Sequence, residues 1–159
     1  MEAKSTNRRT FQLLENEQIL GELAYENLLF LKATITLGDA TPYEIKPVGL
    51  FGTSITVTQN KTEIANLQMN WRGQIVFAFP NKQQLVLKPK GLLNNSYVIE
   101  NSEKEILFQF HPRFNWSKFN CHFDITHYKE PEELLVVLLG VYASNYLIAA
   151  MAGTTAGMA

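Results

Sequence analysis

The sequence predicts a mainly β protein, an antiparallel sandwich or barrel, that is followed by one long apolar helix. Apolar and polar residues alternate in short runs over roughly the first 120 residues, which is typical of half-buried strands. Turn-forming residues separate these runs at intervals of about ten residues, as in antiparallel sheets. No Asp, Glu, Lys or Arg follows Glu133. Strands and helices do not alternate, so a nucleotide-binding α/β fold is not expected.

The composition indicates a single globular domain that occupies residues 1–159. The chain has 159 residues, of which 46% are hydrophobic and 18% charged. This length suits one domain with a substantial core. The formal net charge of -1 gives no basic footprint, so a nucleic-acid partner is not expected.

The single cysteine and the N-terminal residues predict a cytoplasmic protein. Cys121 has no second cysteine with which to form an intramolecular disulfide, so nothing indicates an oxidising compartment. The residues at the N-terminus are polar and basic and are not followed by an apolar stretch, unlike a secretory signal.

The strand signals begin near residue 9 and end near residue 128. Their alternation is clearest in the later part, where Ile75, Phe77 and Phe79 share one face and Ile106, Phe108 and Phe110 share another. Tight turns are expected at Asn16-Glu17 and Asn60-Lys61 and at similar sites, because Asn, Asp and Gly tolerate positive φ. We predict about eleven runs: 9–14, 18–24, 28–37, 43–47, 50–58, 62–69, 74–79, 84–88, 96–100, 105–110 and 118–128.

A central helix is predicted over 131–152. Pro131 suits the first turn because its missing N–H would be unpaired there, and Glu130, Glu132 and Glu133 complement the positive end of the helix dipole. Large apolar side chains point in every direction around this helix, so no face is left for water. The helix must therefore be enclosed by lipid or by the preceding strands.

The residues around the helix favour enclosure by the sheet. A membrane anchor usually carries Lys or Arg on its cytoplasmic side and aromatic residues near its ends. This segment instead follows glutamates and has Tyr142 and Tyr146 in its middle. A cytosolic β-domain tethered by a transmembrane helix stays the alternative, because the length suits a bilayer as well as a small barrel.

The architecture resembles the superfamily of the tubby C-terminal domain, the LURP-one-related proteins and the phospholipid scramblases. The closest stretch is VVLLGVYASNYLI at 136–148, which is similar to a scramblase-type central helix around its Leu-Leu-Gly step. The resemblance implies a closed antiparallel barrel of about twelve strands with the hydrophobic helix along its axis.

The resemblance also implies a non-enzymatic binding module. Tubby-like domains bind phosphoinositides through exterior basic side chains, and scramblases are associated with calcium-dependent lipid movement. A phospholipid or phosphoinositide headgroup, or a protein, is therefore the expected partner, and peripheral membrane association is expected. The chain departs from the family in having no acidic calcium loop, no cysteine-rich stretch and no dense Lys/Arg cluster. The oligomeric state is not predicted.

The best candidate for a headgroup site is a scattered set of basic residues with one tryptophan. The alternative to a binding site is that these side chains are ordinary solvent-exposed residues at strand ends and that the tryptophan packs on the barrel. An anionic headgroup would need them to converge on one surface. The candidate ligand-binding residues are Lys82, Lys88, Lys90, Arg113, Trp116 and Lys118.

Catalytic, metal and cofactor sites are not expected. Cys121 and His127 lie six residues apart, roughly 20 Å along an extended strand, which is too far for a catalytic pair. His111, His122 and Asp124 lack the spacing typical of zinc ligands. The simpler interpretation is that they are polar strand residues that face solvent. Ser144 and Asn145 would lie in apolar surroundings and are expected to find partners on the helix backbone or an inward strand residue.

Overall fold

The computed structural model is a closed antiparallel barrel of twelve strands around one helix, which confirms the predicted fold class. It describes residues 1–27, 31–49, 54–93, 95–115, 117, 120–128 and 133–156. The helix, α1, spans Leu134–Ala156. The strands are β1 (Glu2–Asn7), β2 (Thr10–Glu15), β3 (Gln18–Tyr25), β4 (Ala33–Thr36), β5 (Tyr43–Val48), β6 (Ser54–Gln59), β7 (Thr62–Met69), β8 (Ile75–Ala78), β9 (Gln84–Lys90), β10 (Ser96–Glu100), β11 (Ile106–Asn115) and β12 (Asn120–His127).

The strands follow one another around the barrel in chain order. Each strand pairs with the next, and β1 pairs with β12 through Ala3 and Phe123 to close the sheet. Turns after odd-numbered strands therefore lie at one rim, which we call the upper rim. Turns after even-numbered strands lie at the opposite, lower rim, where α1 also begins. The helix runs from the lower rim to the upper rim.

Two hairpins show why these sequences reverse so tightly. Asn16 and Glu17 have φ of 50° and 66°, and Asn60 and Lys61 have φ of 50° and 63°. Two successive positive φ angles match the right-handed twist of the flanking strands. Both turns were predicted from the sequence, and both are confirmed.

The barrel interior is filled by α1. Inward side chains from the strands and from one helix form a single apolar cluster, with Phe77, Phe110, Phe123 and Tyr142 among the largest fully buried residues. By length and composition the segment Leu134–Gly153 could span a membrane, but 67% of its most apolar window is buried within the protein. The expected enclosure by the sheet is confirmed.

Three polar side chains form a small hydrogen-bonded group inside the barrel near the upper rim. The Tyr142 hydroxyl donates to the Leu31 carbonyl at 2.6 Å, and Asn145 Nδ2 donates to the Tyr25 hydroxyl at 3.1 Å. The Tyr25 and Tyr142 rings stack with centroids 5.8 Å apart. Burial raises the pKa of both tyrosines, so they stay neutral. Asn145 thus has the inward strand partner expected for it, whereas Ser144 Oγ has none within the described chain.

Replacing Tyr142 by Phe should destabilise the protein by about 1–2 kcal/mol, because the partly buried Leu31 carbonyl would lose its donor. Urea unfolding followed by circular dichroism measures this change. Tyr128→Phe is the matched control, since its hydroxyl donates to Gln109 at an exposed site where water can replace it. Equal stability of the two variants would contradict the structural role of the Tyr142 hydroxyl.

Some predicted boundaries were wrong. β1 precedes the first predicted run, and its sequence EAKSTN lacks large apolar residues to mark it, although Ala3 and Ser5 are buried. The described helix begins at Leu134 and continues to Ala156, beyond the predicted end at 152. Pro131, Glu130 and Glu132 lie outside the described residues.

Candidate functional site

The upper rim carries most of the exposed large apolar side chains of the described chain. Among the described residues of this kind, only Ile19 and Tyr128 lie toward the lower rim. Leu92 is 103% exposed, Trp71 88% and Leu93 84%. Exposed apolar side chains that are grouped at one end of a protein are a candidate interaction surface. The upper-rim set, which we call the apolar tips, is Val48, Trp71, Leu92, Leu93, Phe114 and Met151.

The β7–β8 turn holds Trp71 outward. Asn70 Oδ1 accepts hydrogen bonds from the backbone N–H groups of Arg72 and Gln74, each at 3.0 Å. Gly73 has φ of 71°, a conformation that glycine adopts without strain. The Arg72 guanidinium lies 4.9 Å from the centre of the Trp71 ring, within cation–π distance. The turn thus presents an aromatic ring and a cation together.

The β9–β10 hairpin presents the two leucines. Gly91 has φ of 96°, and the Ser96 hydroxyl donates to the Lys90 carbonyl at 3.2 Å at the base of the hairpin. Leu92 and Leu93 lie in the turn itself, beyond any neighbouring strand that could cover them. Lys90 is exposed directly below them, so this tip also combines apolar side chains with a cation.

The last turns of α1 extend the apolar character of the upper rim. Residues 149–153 read AAMAG and are exposed, whereas residues 135–145 are buried in the barrel. Exposure begins where the helix passes the ends of the strands. The projecting part carries no charged residue.

The two rims differ in charge. Among the described turn residues, the upper rim has four cations, Arg8, Arg9, Lys32 and Arg72, and one carboxylate, Glu26. The lower rim has five carboxylates and three lysines. They are Glu17, Asp39, Glu103, Glu105, Glu133, Lys61, Lys82 and Lys104. The upper rim is therefore both the more apolar and the more basic end.

The candidate residues predicted from the sequence do not form one patch among those described. Lys82 lies in a lower-rim turn, and Lys90 lies at the upper rim. Lys88 Nζ forms an ion pair at 2.7 Å with the buried carboxylate of Glu100, and Arg113 is paired with Asp124. Trp116 and Lys118 lie outside the described residues.

His122, His127 and Cys121 have structural contacts, whereas His111 is exposed on β11. His122 Nδ1 accepts a hydrogen bond from the Ser5 backbone N–H at 2.9 Å, and His127 Nε2 lies 3.5 Å from Glu15 Oε1. Burial raises the pKa of the Cys121 thiol to about 11, so the unreactive thiol form predominates at neutral pH. Within the described chain, no three His, Cys, Asp or Glu side chains are grouped to hold a metal ion.

The sequence reasoning missed the apolar tips. One signal was available, because Leu92 and Leu93 stand between Gly91 and Asn94 in a segment that otherwise has turn composition. Trp71 likewise precedes Arg72 and Gly73 in a segment of turn composition. Comparison with known proteins adds no relative: no family model, curated protein or solved structure matches this chain.

Proposed function

We propose that this barrel is a non-enzymatic module that docks by its upper rim on an anionic membrane surface, peripherally and from the cytoplasm. The observation that carries the proposal is the coincidence of the apolar tips and the unbalanced cations on one rim. Trp residues suit the headgroup region of a bilayer, and basic residues suit an anionic leaflet. Trp71 and Arg72 bring both to the same turn.

The strength of such docking can be estimated from its parts. An apolar side chain such as Leu92 gains at most about 1.5–3 kcal/mol on leaving water completely, and less when it is only partly inserted. Each Lys or Arg close to an anionic leaflet contributes about 1 kcal/mol. Several weak contributions of both kinds give reversible binding that depends on lipid charge and on salt. This is the behaviour of a peripheral protein.

The arrangement of the helix favours this proposal over a transmembrane tether. The tether requires α1 to leave the barrel and would expose the apolar interior that its Val137, Leu138 and Tyr142 side chains now fill. Upper-rim docking leaves the barrel intact and brings only residues 149–153 and the turns toward the lipid.

Vesicle sedimentation tests the proposal. The protein should bind vesicles of phosphatidylcholine with phosphatidylserine and should not bind phosphatidylcholine alone. Replacing Lys32, Arg72 and Lys90 together by Gln should weaken binding roughly 100-fold, since each cation contributes about 1 kcal/mol. The matched control replaces the lower-rim Lys61, Lys82 and Lys104 by Gln, which removes the same charge and should change binding little.

A second pair of variants separates apolar insertion from charge. Leu92→Ser with Leu93→Ser should weaken binding, whereas Ile19→Ser, at an exposed apolar site on the lower rim, should not. A phosphoinositide in place of phosphatidylserine at equal lipid charge shows whether headgroup identity matters. The proposal is wrong if the wild-type protein does not bind anionic vesicles, or if the upper-rim and lower-rim variants lose binding to the same extent.

A further inference from the structure

A cavity of about 200 Å³ opens at the upper rim beside α1. The helix contributes Ile148 and Ala149 to its wall, and the hairpins β1–β2 and β11–β12 contribute Phe11 and Phe114. β1 pairs with β12, so these two hairpins are neighbours and the cavity lies between them and the helix. The small side chain at Ala149 leaves the space open.

The size and lining of the cavity suit an alkyl group. An apolar cavity of about 150 Å³ in another protein stays dry and holds benzene, and this one is larger. Phe11 is buried and Phe114 is half exposed, so the apolar wall runs from the interior to the mouth. A chain of several methylene groups therefore has both room and apolar contacts.

One charged side chain in the wall indicates the head of the occupant. Arg8 is the one charged residue among the described residues that line the cavity, and no carboxylate opposes it there. An anionic head is the expected counterpart of this unopposed guanidinium group. Arg8 lies in the turn after β1, so the head would lie at the upper rim.

We propose that this cavity binds a single-chain amphiphile with an anionic head. The alkyl chain lies against Phe11, Phe114 and Ile148, and the anion pairs with Arg8. This site goes beyond the docking surface proposed above. It does not require that surface, because a monomeric amphiphile reaches the cavity directly from solution.

Binding of monomeric lauroyl lysophosphatidic acid, measured by titration calorimetry below its micelle concentration, tests the site. We expect one saturable site, and at least roughly tenfold weaker binding by Ala149→Phe, which fills the cavity. Ala150→Phe is the matched control, because the adjacent residue does not line the cavity and its substitution should leave affinity unchanged. Absence of saturable binding, or equal affinity of these two variants, would overturn the proposal.

The head contact is tested separately. Arg8→Gln should weaken binding about fivefold or more, whereas Arg72→Gln, also at the upper rim but outside the cavity, should not. Equal affinity of wild type and Arg8→Gln would overturn the assignment of the anionic head to Arg8.

A last measurement distinguishes the source of the amphiphile and separates the two proposals. Protein is mixed with phosphatidylcholine vesicles that contain labelled lysophosphatidic acid and is then separated from them by gel filtration. Label that elutes with free protein shows extraction from the bilayer, and label acquired only from solution shows capture of monomer. Vesicle binding without monomer binding overturns the cavity proposal alone, and monomer binding without vesicle binding overturns the docking proposal alone.

Discussion

A chain that ends at Glu133 is expected to be unfolded or aggregated, because the truncation removes the interior of the barrel. The lost side chains include Val137, Leu138, Leu139 and Tyr142, each at most 1% exposed. Burial of one such side chain contributes about 1.5–3 kcal/mol. The sum over the buried residues of α1 exceeds the roughly 5–15 kcal/mol by which a typical domain is stable. Inward strand residues such as Phe77 and Phe110 would also face an empty space.

Far-ultraviolet circular dichroism and gel filtration measure this result. The control is a chain that ends at Ile148, which keeps the enclosed part of the helix and removes the exposed residues after it. This shorter truncation should retain the barrel and its cooperative unfolding. Recovery of a folded, monodisperse domain from the chain ending at Glu133 would contradict the core role of α1 and would favour the transmembrane tether.

Gly140→Ala is expected to destabilise the protein by roughly 2 kcal/mol, because an overpacking cost of about 3 kcal/mol exceeds the gain of about 1 kcal/mol from the better helix propensity of alanine. A Cβ atom at residue 140 would lie 2.8 Å from Cε2 and 2.9 Å from Cε1 of Phe110, and closer still to Cζ. The Phe110 ring is 0% exposed, so it has no open space into which to move. The glycine is therefore required by the close approach of helix and strand. Urea unfolding measures the change.

Gly153→Ala is the matched control for this substitution. Gly153 lies in the same helix, but nothing lies within 4 Å of the added methyl group, so the variant should be as stable as wild type or slightly more so. Phe110→Leu in the Gly140→Ala background should recover part of the loss, and a double-mutant cycle gives the coupling energy. Equal effects of the two glycine substitutions would show that helix propensity, not contact with Phe110, governs residue 140.

The fold was predictable where the pattern of side chains is repetitive. Alternation along strands such as β8 and β11, and turn chemistry at Asn16 and Asn60, follow from local rules. Enclosure of α1 followed from the lack of any polar face. β1 was not predictable in this way, because its inward residues are Ala3 and Ser5, which are too small to give an apolar signal. Its place in the sheet is determined by its partners β2 and β12.

The candidate site was less predictable because it depends on which turns share a rim. Lys82 and Lys90 are close in sequence, but Lys82 precedes β9 and Lys90 ends it, so the length of this strand places them at opposite ends of the barrel. Lys88 and Arg113 are basic in sequence, yet Glu100 and Asp124 on neighbouring strands neutralise them. Trp71 and Leu92 come together at one end only once the sheet closes. Such groupings are properties of topology and not of any local pattern.

The order of the core elements along the chain has a consequence for biosynthesis. All twelve strands precede α1, and the first strand pairs with the twelfth. Nearly every strand therefore leaves the ribosome before α1, which the strands must surround, has been synthesised. Unpaired edges and apolar faces stay open to other chains during this interval, when aggregation competes with folding. We expect barrel closure to follow translation of α1.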